Sequence, residues 1–285
     1  MSLVINNNLM ASSAARHLNS AYGALGSSTE KLSSGLRVNS SADDAAGLAV
    51  RELMRSDIAT INQGVRNAND GISMIQTADG ALSVIDEKLI RMKELSEQAA
   101  TGTYTDSQRL IIDSEYQAMA SEITRIANAT DFNGIHLLNG NLSGEGLTIH
   151  FGTGNDATED KYNVAISTCT ASALGVGNAG NVSAAGYTVS TQAMAQASLE
   201  ALDAAITSKD KIRANLGSMQ NRLQATISNL EIQGQNLQAS ESRISDVDVA
   251  TEMTEYTKQQ IITQSAVSML SQANSLPQMA LSLIG

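Results

Sequence analysis

A chain of 285 residues has room for one large or two ordinary domains. Its formal net charge of −11 at pH 7 argues against nucleic acid or an anionic membrane as the main partner. The single cysteine, Cys169, excludes an intramolecular disulfide. Aromatic residues make up only 3% of the chain, which disfavours a compact core built on large rings. With Pro277 as the only proline, the composition favours long helices packed side by side.

The segment before Arg16 carries no charged side chain, and its apolar residues stand among Asn and Ser. It lacks the charged start, apolar run and cleavage site of a signal peptide, so we expect any export to leave it uncleaved and to use another route. An unpaired buried charge is very costly. A charge-free end in an acidic chain therefore indicates burial, and with so few aromatic residues the expected burial partner is another copy of the chain.

A long helix is predicted over about 43–100. From Met54 to Met92 the apolar residues recur at steps of three and four, a period near 3.5 that is typical of a coiled coil or a long bundle helix. At ~1.5 Å per residue, such a helix would be about 85 Å long. A small globular domain does not need a helix of this length.

Both ends of this helix carry sequence signals. Ser41 is a candidate N-cap, and Asp43 and Asp44 would lie in the first turn, where acidic side chains favour the helix dipole. Gly102 is a suitable residue for the C-terminal end.

A second helix is predicted after Thr105, because Thr105 and Gln108 have the spacing of a capping box. The apolar rhythm of three and four continues to Ile126. Residues 131–134, with the sequence Asp-Phe-Asn-Gly, then predict a turn.

The middle of the chain, 140–190, changes character, because Gly, Ser, Thr and Asn become frequent. Two short alternating stretches, 147–151 and 162–166, are typical of strands. Beyond 191 the helical rhythm returns. The order of elements predicts a mainly α fold, in which the N- and C-terminal segments form a long antiparallel coiled-coil or helical-bundle rod with a small β-hairpin tip.

The last 27 residues, 259–285, again contain no charged side chain. Their longest unbroken apolar run is only Met279 to Leu281, whereas a bilayer helix needs roughly 20 mostly apolar residues. A membrane anchor is therefore not predicted, and burial in an assembly is.

Four separated stretches carry a recognisable sequence. They are LSSGLRVNSSADDAAGL at 32–48, NDGISMIQTA at 69–78, TDFNG at 130–134, and SQANSLPQ followed by LSLIG at 271–285. In this order they resemble the signature sequences of bacterial flagellin, and the resemblance covers roughly residues 1–140 and 195–285. The middle, where flagellins differ, is short in this chain.

The resemblance implies a structural subunit that self-assembles into the flagellar filament for swimming, is exported through the flagellar secretion apparatus and lies outside the cell. Its implied partners are further copies of the same chain, an export chaperone, and the cap and hook-junction proteins. No enzymatic activity, cofactor, metal, nucleic-acid or membrane-inserted role is expected.

The resemblance also implies three domains. Residues 1–42 and 241–285 would form a terminal helical domain that lines the inner tube. Residues 43–167 and 191–240 would form a helical rod with the β-hairpin, and 168–190 a reduced variable surface loop.

Terminal helices of flagellins pack against neighbouring subunits, and a solitary helix would be marginal by itself. The apolar residues of these segments are therefore the candidates for assembly contacts. They are Ile5, Leu9, Ile262, Val267, Leu270, Leu281 and Leu283.

The stretch 89–95, with the sequence Leu-Ile-Arg-Met-Lys-Glu-Leu, aligns with the part of flagellins that the vertebrate Toll-like receptor for flagellin recognises. By this resemblance Arg91, Leu95 and Glu115 are candidates for contacts with the receptor. The alternative interpretation is that they are ordinary surface and packing residues of two helices.

Other functions are alternatives at this point. The hook–filament junction protein shares the terminal helical patterns and is the nearest one, and the cytoplasmic coiled coil of a methyl-accepting receptor is more distant. Gly-Val-Gly-Asn-Ala-Gly at 175–180 matches a dinucleotide-binding loop in its letters, but the strand before and the helix after are missing, so a surface loop is expected. His17, His136 and His150 form no metal-binding pair of the His-Glu-x-x-His kind.

Overall fold

The computed structural model describes residues 8–177 and 186–284, without the side chains of 276–278 and 280–284. Within these ranges the chain forms five helices and two small antiparallel hairpins. The helices are α1 (Leu9–Ser34), α2 (Ala45–Ala100), α3 (Asp106–Ala129), α4 (Gln192–Ser245) and α5 (Val249–Ile284). The strands are β1 (Asp131–Phe132), β2 (Ile135–His136), β3 (Leu147–His150) and β4 (Lys161–Val164). The predicted mainly α fold with a small β-hairpin is confirmed.

Packing divides the chain into two compact units. The terminal unit consists of Met1–Ile58 and Gln235–Gly285, and the central unit consists of Ala59–Gly234. These limits fall inside α2 and α4, and the division into three domains stays a prediction. The first turns of α2 pack with the terminal segment partly because a guanidinium nitrogen of Arg51, Nη1, donates to the Val38 carbonyl oxygen at 2.7 Å.

Helices α1 and α5 are antiparallel in the terminal unit. At one end, the Asn8 side-chain nitrogen donates to the Ala273 carbonyl oxygen at 2.7 Å. At the other end, the Val247 amide donates to the Gly35 carbonyl oxygen at 3.0 Å. Gly35 has a φ of 72°, in the left-handed region that glycine adopts without strain, and it caps the C-terminus of α1.

The prediction of Ser41 as the N-cap of the long helix is wrong, because Asp44 has that role. A carboxylate oxygen of Asp44 accepts a hydrogen bond from the Gly47 amide at 2.9 Å. The Asp43 carboxylate instead accepts hydrogen bonds from the Ser40 amide at 3.0 Å and from the Asn39 amide at 3.1 Å. These hydrogen bonds lower the pKa of Asp43 below its ordinary value. Asp43 thus closes the turn before the helix, and α2 begins after Asp44.

The central unit has a continuous apolar core to which α2, α3, α4 and both hairpins contribute. From Val65 onward, the apolar seam predicted for the long helix faces this core, and its members Leu82, Ile85, Leu89 and Met92 are fully buried. The helix ends at Ala100, as predicted.

The turn between α2 and α3 is held by a buried arginine and a capping box. Arg109 Nε donates to the Ala99 carbonyl oxygen at 2.9 Å, and its Nη2 donates to that of Thr101 at 2.7 Å. The Thr105 amide donates to the Gln108 side-chain oxygen at 2.9 Å, while the Gln108 amide donates to the Thr105 hydroxyl at 3.4 Å. The predicted capping box is therefore confirmed.

The two hairpins follow α3. Strands β1 and β2 pair around Asn133 and Gly134, whose φ values of 51° and 80° match a type I′ turn, so the predicted turn at 131–134 is confirmed. Strands β3 and β4 pair from Leu147 opposite Val164, close to the two predicted strands.

The β3–β4 hairpin lies directly against α2. The Asn67 side-chain nitrogen donates to the His150 carbonyl oxygen at 2.8 Å. A Cβ atom at Gly64 would collide with the Phe151 carbonyl oxygen, so only glycine allows the chain to approach this closely.

The described parts of 168–190 differ from the predicted surface loop, because most of their apolar side chains are buried. Helix α3 holds them. The Tyr116 hydroxyl donates to the Gly186 carbonyl oxygen at 2.6 Å. The Asp113 carboxylate accepts a hydrogen bond from the Val189 amide at 2.8 Å. These bonds satisfy backbone groups that burial would otherwise leave unpaired. Residues 178–185, which include the end of the dinucleotide-like motif, lie outside the described residues.

Cys169 is fully buried in this segment. Burial disfavours the charged thiolate and raises the pKa of the thiol to about 12, despite the opposing effect of the nearby positive charge of Lys209. At neutral pH the sulfur is therefore a protonated, shielded thiol and a poor nucleophile.

Candidate assembly surface

The terminal unit buries few large apolar side chains. Its buried residues in the described ranges are mostly small or polar: Ala21, Ser28, Val38, Arg51, Ser245, Thr263 and Ala273. Most of the exposed large apolar side chains of the described chain lie in this unit and are called here the terminal apolar surface: Leu9, Met10, Tyr22, Val50, Leu53, Val249, Met253, Ile261, Ile262, Val267, Met269 and Met279. Exposed apolar residues in such number indicate a surface that another molecule covers.

Helix α5 carries exposed apolar side chains on three sides. At 3.6 residues per turn, Val249 and Val267 lie on one side of the helix, and Ile261 and Met279 lie on a second side. Ile262 and Met269, seven residues apart, lie on a third side. A helix that is apolar in several directions is normally found inside a larger core. Since α1 packs on the remaining side of α5, full burial of α5 requires further helices.

The predicted assembly residues divide by their placement. Exposed fractions of 77%, 41% and 47% are found for Leu9, Ile262 and Val267, while Leu270 is half-buried. Ile5 lies outside the described residues, as do the side chains of Leu281 and Leu283. Their role in contacts between copies of the chain stays a prediction.

Sequence reasoning missed several members of the terminal apolar surface. Val249 and Met253 follow the helical rhythm of the C-terminal part of the chain, and both are exposed. Leu53, Ile261 and Met269 were not singled out and are among the most exposed. For Ile261 and Met269 the loss of charge after 258 is the signal that could have identified them, because no charged face remains on this part of α5.

Charged groups of α5 are confined to its beginning. Asp248 caps the helix, and the hydroxyl of Thr251 donates to its carboxylate at 2.8 Å, which together with two backbone amides lowers the pKa of Asp248. Hydrogen bonds from Gln259 and then Lys258 likewise lower the pKa of Glu255. The acidic cap interacts favourably with the positive, N-terminal end of the helix dipole. From Gln259 onward, α5 offers only uncharged side chains to a neighbour.

The predicted receptor residues lie in the central unit, on α2 and α3. Arg91 binds the Glu115 carboxylate through Nε at 3.0 Å and Nη2 at 2.8 Å, and it also contacts Glu94. These carboxylates, Glu115 foremost, raise the pKa of Arg91. The side chains of Arg91 and Glu115 are 48% and 44% exposed, but Leu95 is only 2% exposed because it belongs to the apolar seam of α2. The ion pair of Arg91 and Glu115 therefore lies at the surface, whereas Leu95 lies in the core.

Two other kinds of site were sought in 8–177 and 186–284. No group of three or more His, Cys, Asp or Glu side chains is placed to hold a metal ion. No helix in these ranges is both long and apolar enough to span a bilayer.

Comparison with known proteins agrees with the arrangement of terminal and central helices. The bacterial flagellin N-terminal helical region matches residues 5–143, and the bacterial flagellin C-terminal helical region matches residues 199–284. A flagellar hook-associated protein of Vibrio parahaemolyticus has a similar fold, with a TM-score of 0.56 over 72% of this chain and 100% of its own, at 17% identity.

Several relatives match nearly the whole chain, among them a filament core protein and a flagellin. The flagellar filament 33 kDa core protein of Treponema phagedenis is 41% identical over 290 residues, which cover 99% of this chain and 100% of the relative. The flagellin of Bacillus subtilis (strain 168) is 41% identical over 304 residues, which cover 98% of this chain and 99% of the relative. The match extends over both helical regions and the short middle, and the chain therefore belongs to the bacterial flagellin family.

Proposed function

We propose that this flagellin polymerises into the flagellar filament by burying the terminal apolar surface between copies of the chain. The observation that carries the proposal is α5, whose exposed apolar side chains point to three sides while α1 covers only one. The filament role in the name of the Treponema phagedenis relative supports it as well.

The energy of such contacts is large enough for assembly. Burying one Val, Ile, Leu or Met side chain contributes about 1.5–3 kcal/mol. Association costs about 4–15 kcal/mol in lost translational and rotational freedom, so a stable contact needs several of these side chains. The terminal apolar surface supplies several such side chains, and on α5 they point in different directions. Contacts between two different patches need not close into a ring, and contacts that do not close produce an open helical filament.

The proposal includes the route and the location of the subunit. Export would use the flagellar secretion apparatus, with an export chaperone, and assembly would take place outside the cell with the cap and hook-junction proteins as further partners. The charge-free segments 1–15 and 259–285 would belong to the terminal helical domain proposed for 1–42 and 241–285. Swimming would follow from the filament's transmission of motor torque.

Polymerisation of the purified chain tests the proposal. Electron microscopy after salting-out should reveal long tubes of the intact protein and none of a version without 259–285. The truncated chain should keep its central unit folded, which circular dichroism can establish. An intact chain that stays monomeric, or that forms only short rings where a control flagellin polymerises, would favour the hook–filament junction protein instead.

A second proposed function is recognition by the vertebrate Toll-like receptor for flagellin. The observation in its favour is the exposed pair of Arg91 and Glu115, which presents a guanidinium and a carboxylate side by side on two neighbouring helices. Leu95 would act only through the packing that positions Arg91 on α2.

Replacing Arg91 with Ala is expected to lower the potency of receptor activation at least tenfold, because a charged hydrogen-bonding group at a contact is worth about 1.5–3 kcal/mol. The measurement is a dose–response curve in cells that carry the receptor. Arg125→Ala is the matched control, because Arg125 forms a similar exposed pair with Glu122 on α3 at 2.6 Å. Equal potency of the two variants would contradict this function and leave the filament proposal untouched.

A further inference from the structure

Three ion pairs connect α2 and α4 in the central unit. They join Asp79 to Arg213 at 2.7 Å, Asp86 to Lys209 at 2.5 Å, and Lys93 to Asp203 at 2.5 Å. The three positions on α2 are spaced by seven residues, which is two helical turns, so they lie in one row beside the apolar seam. We call these pairs the three rungs.

The middle rung is buried. The side chain of Lys209 is only 2% exposed, and it contacts both Asp86 and Asp210. Burial opposes the charge of this ammonium group, but the carboxylates of Asp210 and Asp86 outweigh the burial and raise the pKa of Lys209. Lys209 therefore stays charged, and a buried charge is tolerated only where a carboxylate lies beside it.

The sign of the charge inverts along the row. On α2 the rungs are acidic at 79 and 86 and basic at 93, and on α4 they are basic at 213 and 209 and acidic at 203. Because every native pair joins opposite charges, a row of uniform sign would have served equally well for attraction. Attraction between the two helices therefore does not explain the inversion of sign, and another effect must.

The inversion of sign distinguishes the native register of α2 and α4 from registers shifted by seven residues. An apolar seam with a seven-residue repeat fits almost as well after a shift of seven residues, so the seam alone selects weakly against it. A shift in one direction places Lys93 opposite Lys209, and a shift in the other places Asp86 opposite Asp203. Each shifted register thus creates one like-charge pair, and the first of them adds a second positive charge at a buried site. Asp210 is on α4 itself and accompanies Lys209 in every register, so it does not discriminate.

We propose that the three rungs fix the antiparallel register of α2 and α4, and that the inversion of sign at the third rung excludes pairings shifted by seven residues. A buried polar contact that specifies register is the best-attested use of such groups. The proposal concerns the folding of one chain and is independent of what the chain assembles into.

Spin labels on the two helices test the proposal in the full chain. Ser73→Cys on α2 and Ser208→Cys on α4 replace exposed side chains, in a Cys169→Ala background that leaves no other thiol. A shift of seven residues moves one helix by about 10 Å along the other. Pulsed electron spin resonance measures the distance between the labels after rapid refolding from denaturant.

The decisive variant combines Lys93→Asp with Asp203→Lys. It keeps opposite charges in all three native rungs and leaves the net charge unchanged, but its row has a uniform sign. We expect a second distance, displaced by up to about 10 Å, next to the native one.

The matched control adds Asp79→Arg and Arg213→Asp to that variant. These changes restore an inversion of sign, now between the first and second rungs, with the same composition. We expect a single native distance, as in the labelled parent. The proposal is overturned if the first variant gives only the native distance, if the control gives the same second distance, or if the first variant fails to fold although every native pair is retained.

Discussion

Ile261→Asp combined with Val267→Asp should abolish filament formation and leave the monomer folded. Both side chains are exposed in the terminal unit, so their replacement removes little from the fold of the free chain. In the proposed filament each would be buried between copies, and burying an unpaired carboxylate costs several kcal/mol. Since about 1.4 kcal/mol corresponds to a factor of ten, the critical concentration for polymerisation should rise at least a hundredfold.

The measurement is the concentration of protein left in the supernatant after polymerisation and sedimentation, with electron microscopy of the pellet. Ile261→Leu with Val267→Leu is the control, because it alters the same positions but keeps them apolar, and its critical concentration should stay within a few-fold of the parent. A critical concentration of the acidic variant within threefold of the parent would exclude these two faces of α5 from the contact.

Leu89→Ala should destabilise the central unit by about 3 kcal/mol, whereas Ile90→Ala should change its stability by less than about 0.5 kcal/mol. The two residues are neighbours on α2, but Leu89 is completely buried in the core and Ile90 is 47% exposed. Removing three carbon atoms from Leu89 forfeits their burial and leaves a cavity. For a unit of this size the midpoint of thermal unfolding should fall by about 6–12 °C.

Urea unfolding followed by circular dichroism measures both free energies of unfolding. The rate at which Cys169 reacts with a thiol reagent provides a second probe confined to the central unit, because its sulfur becomes accessible only when that unit opens. Equal losses for the two variants would contradict the assignment of the α2 seam to the core.

Features that depend on neighbours in the chain were predictable from the sequence. The seam from Met54 to Met92 follows from helical geometry alone, and the capping box of Thr105 and Gln108 needs only residues three apart. The turn at Asn133 was predictable because the Asn-Gly pair is suited to positive φ values.

Features that depend on distant partners were not predictable in the same way. The placement of 186–190 rests on hydrogen bonds with α3, between residues 70 and 76 positions apart. The Cys169 amide donates to the Leu138 carbonyl oxygen, about thirty positions away. A segment rich in Gly, Ser and Thr has the composition of a surface loop, and nothing local distinguishes it from one. The choice of Asp44 over Ser41 as the cap was also outside local rules, since both residues are good caps.

The candidate surfaces were only partly predictable. Loss of charge identified the terminal segments, but the exposed sides of α5 depend on where α1 lies, and that contact joins the two ends of the chain. Leu95 was placed with Arg91 by its position in a recognised stretch, although the spacing of the seam assigns it to the core. The three rungs were visible as charges seven residues apart on α2, yet their partners on α4 lie more than a hundred residues away.

The buried position of Cys169 bears on the chemistry of any polymer of this chain. Each subunit brings one thiol, and in a large array even slow oxidation would link neighbouring chains if those thiols were accessible. A protonated sulfur enclosed by the central unit neither attacks a disulfide nor meets its counterpart in the next subunit. In the proposed filament we therefore expect no disulfide bonds between subunits, so that dissolving and reassembling it should need no reductant.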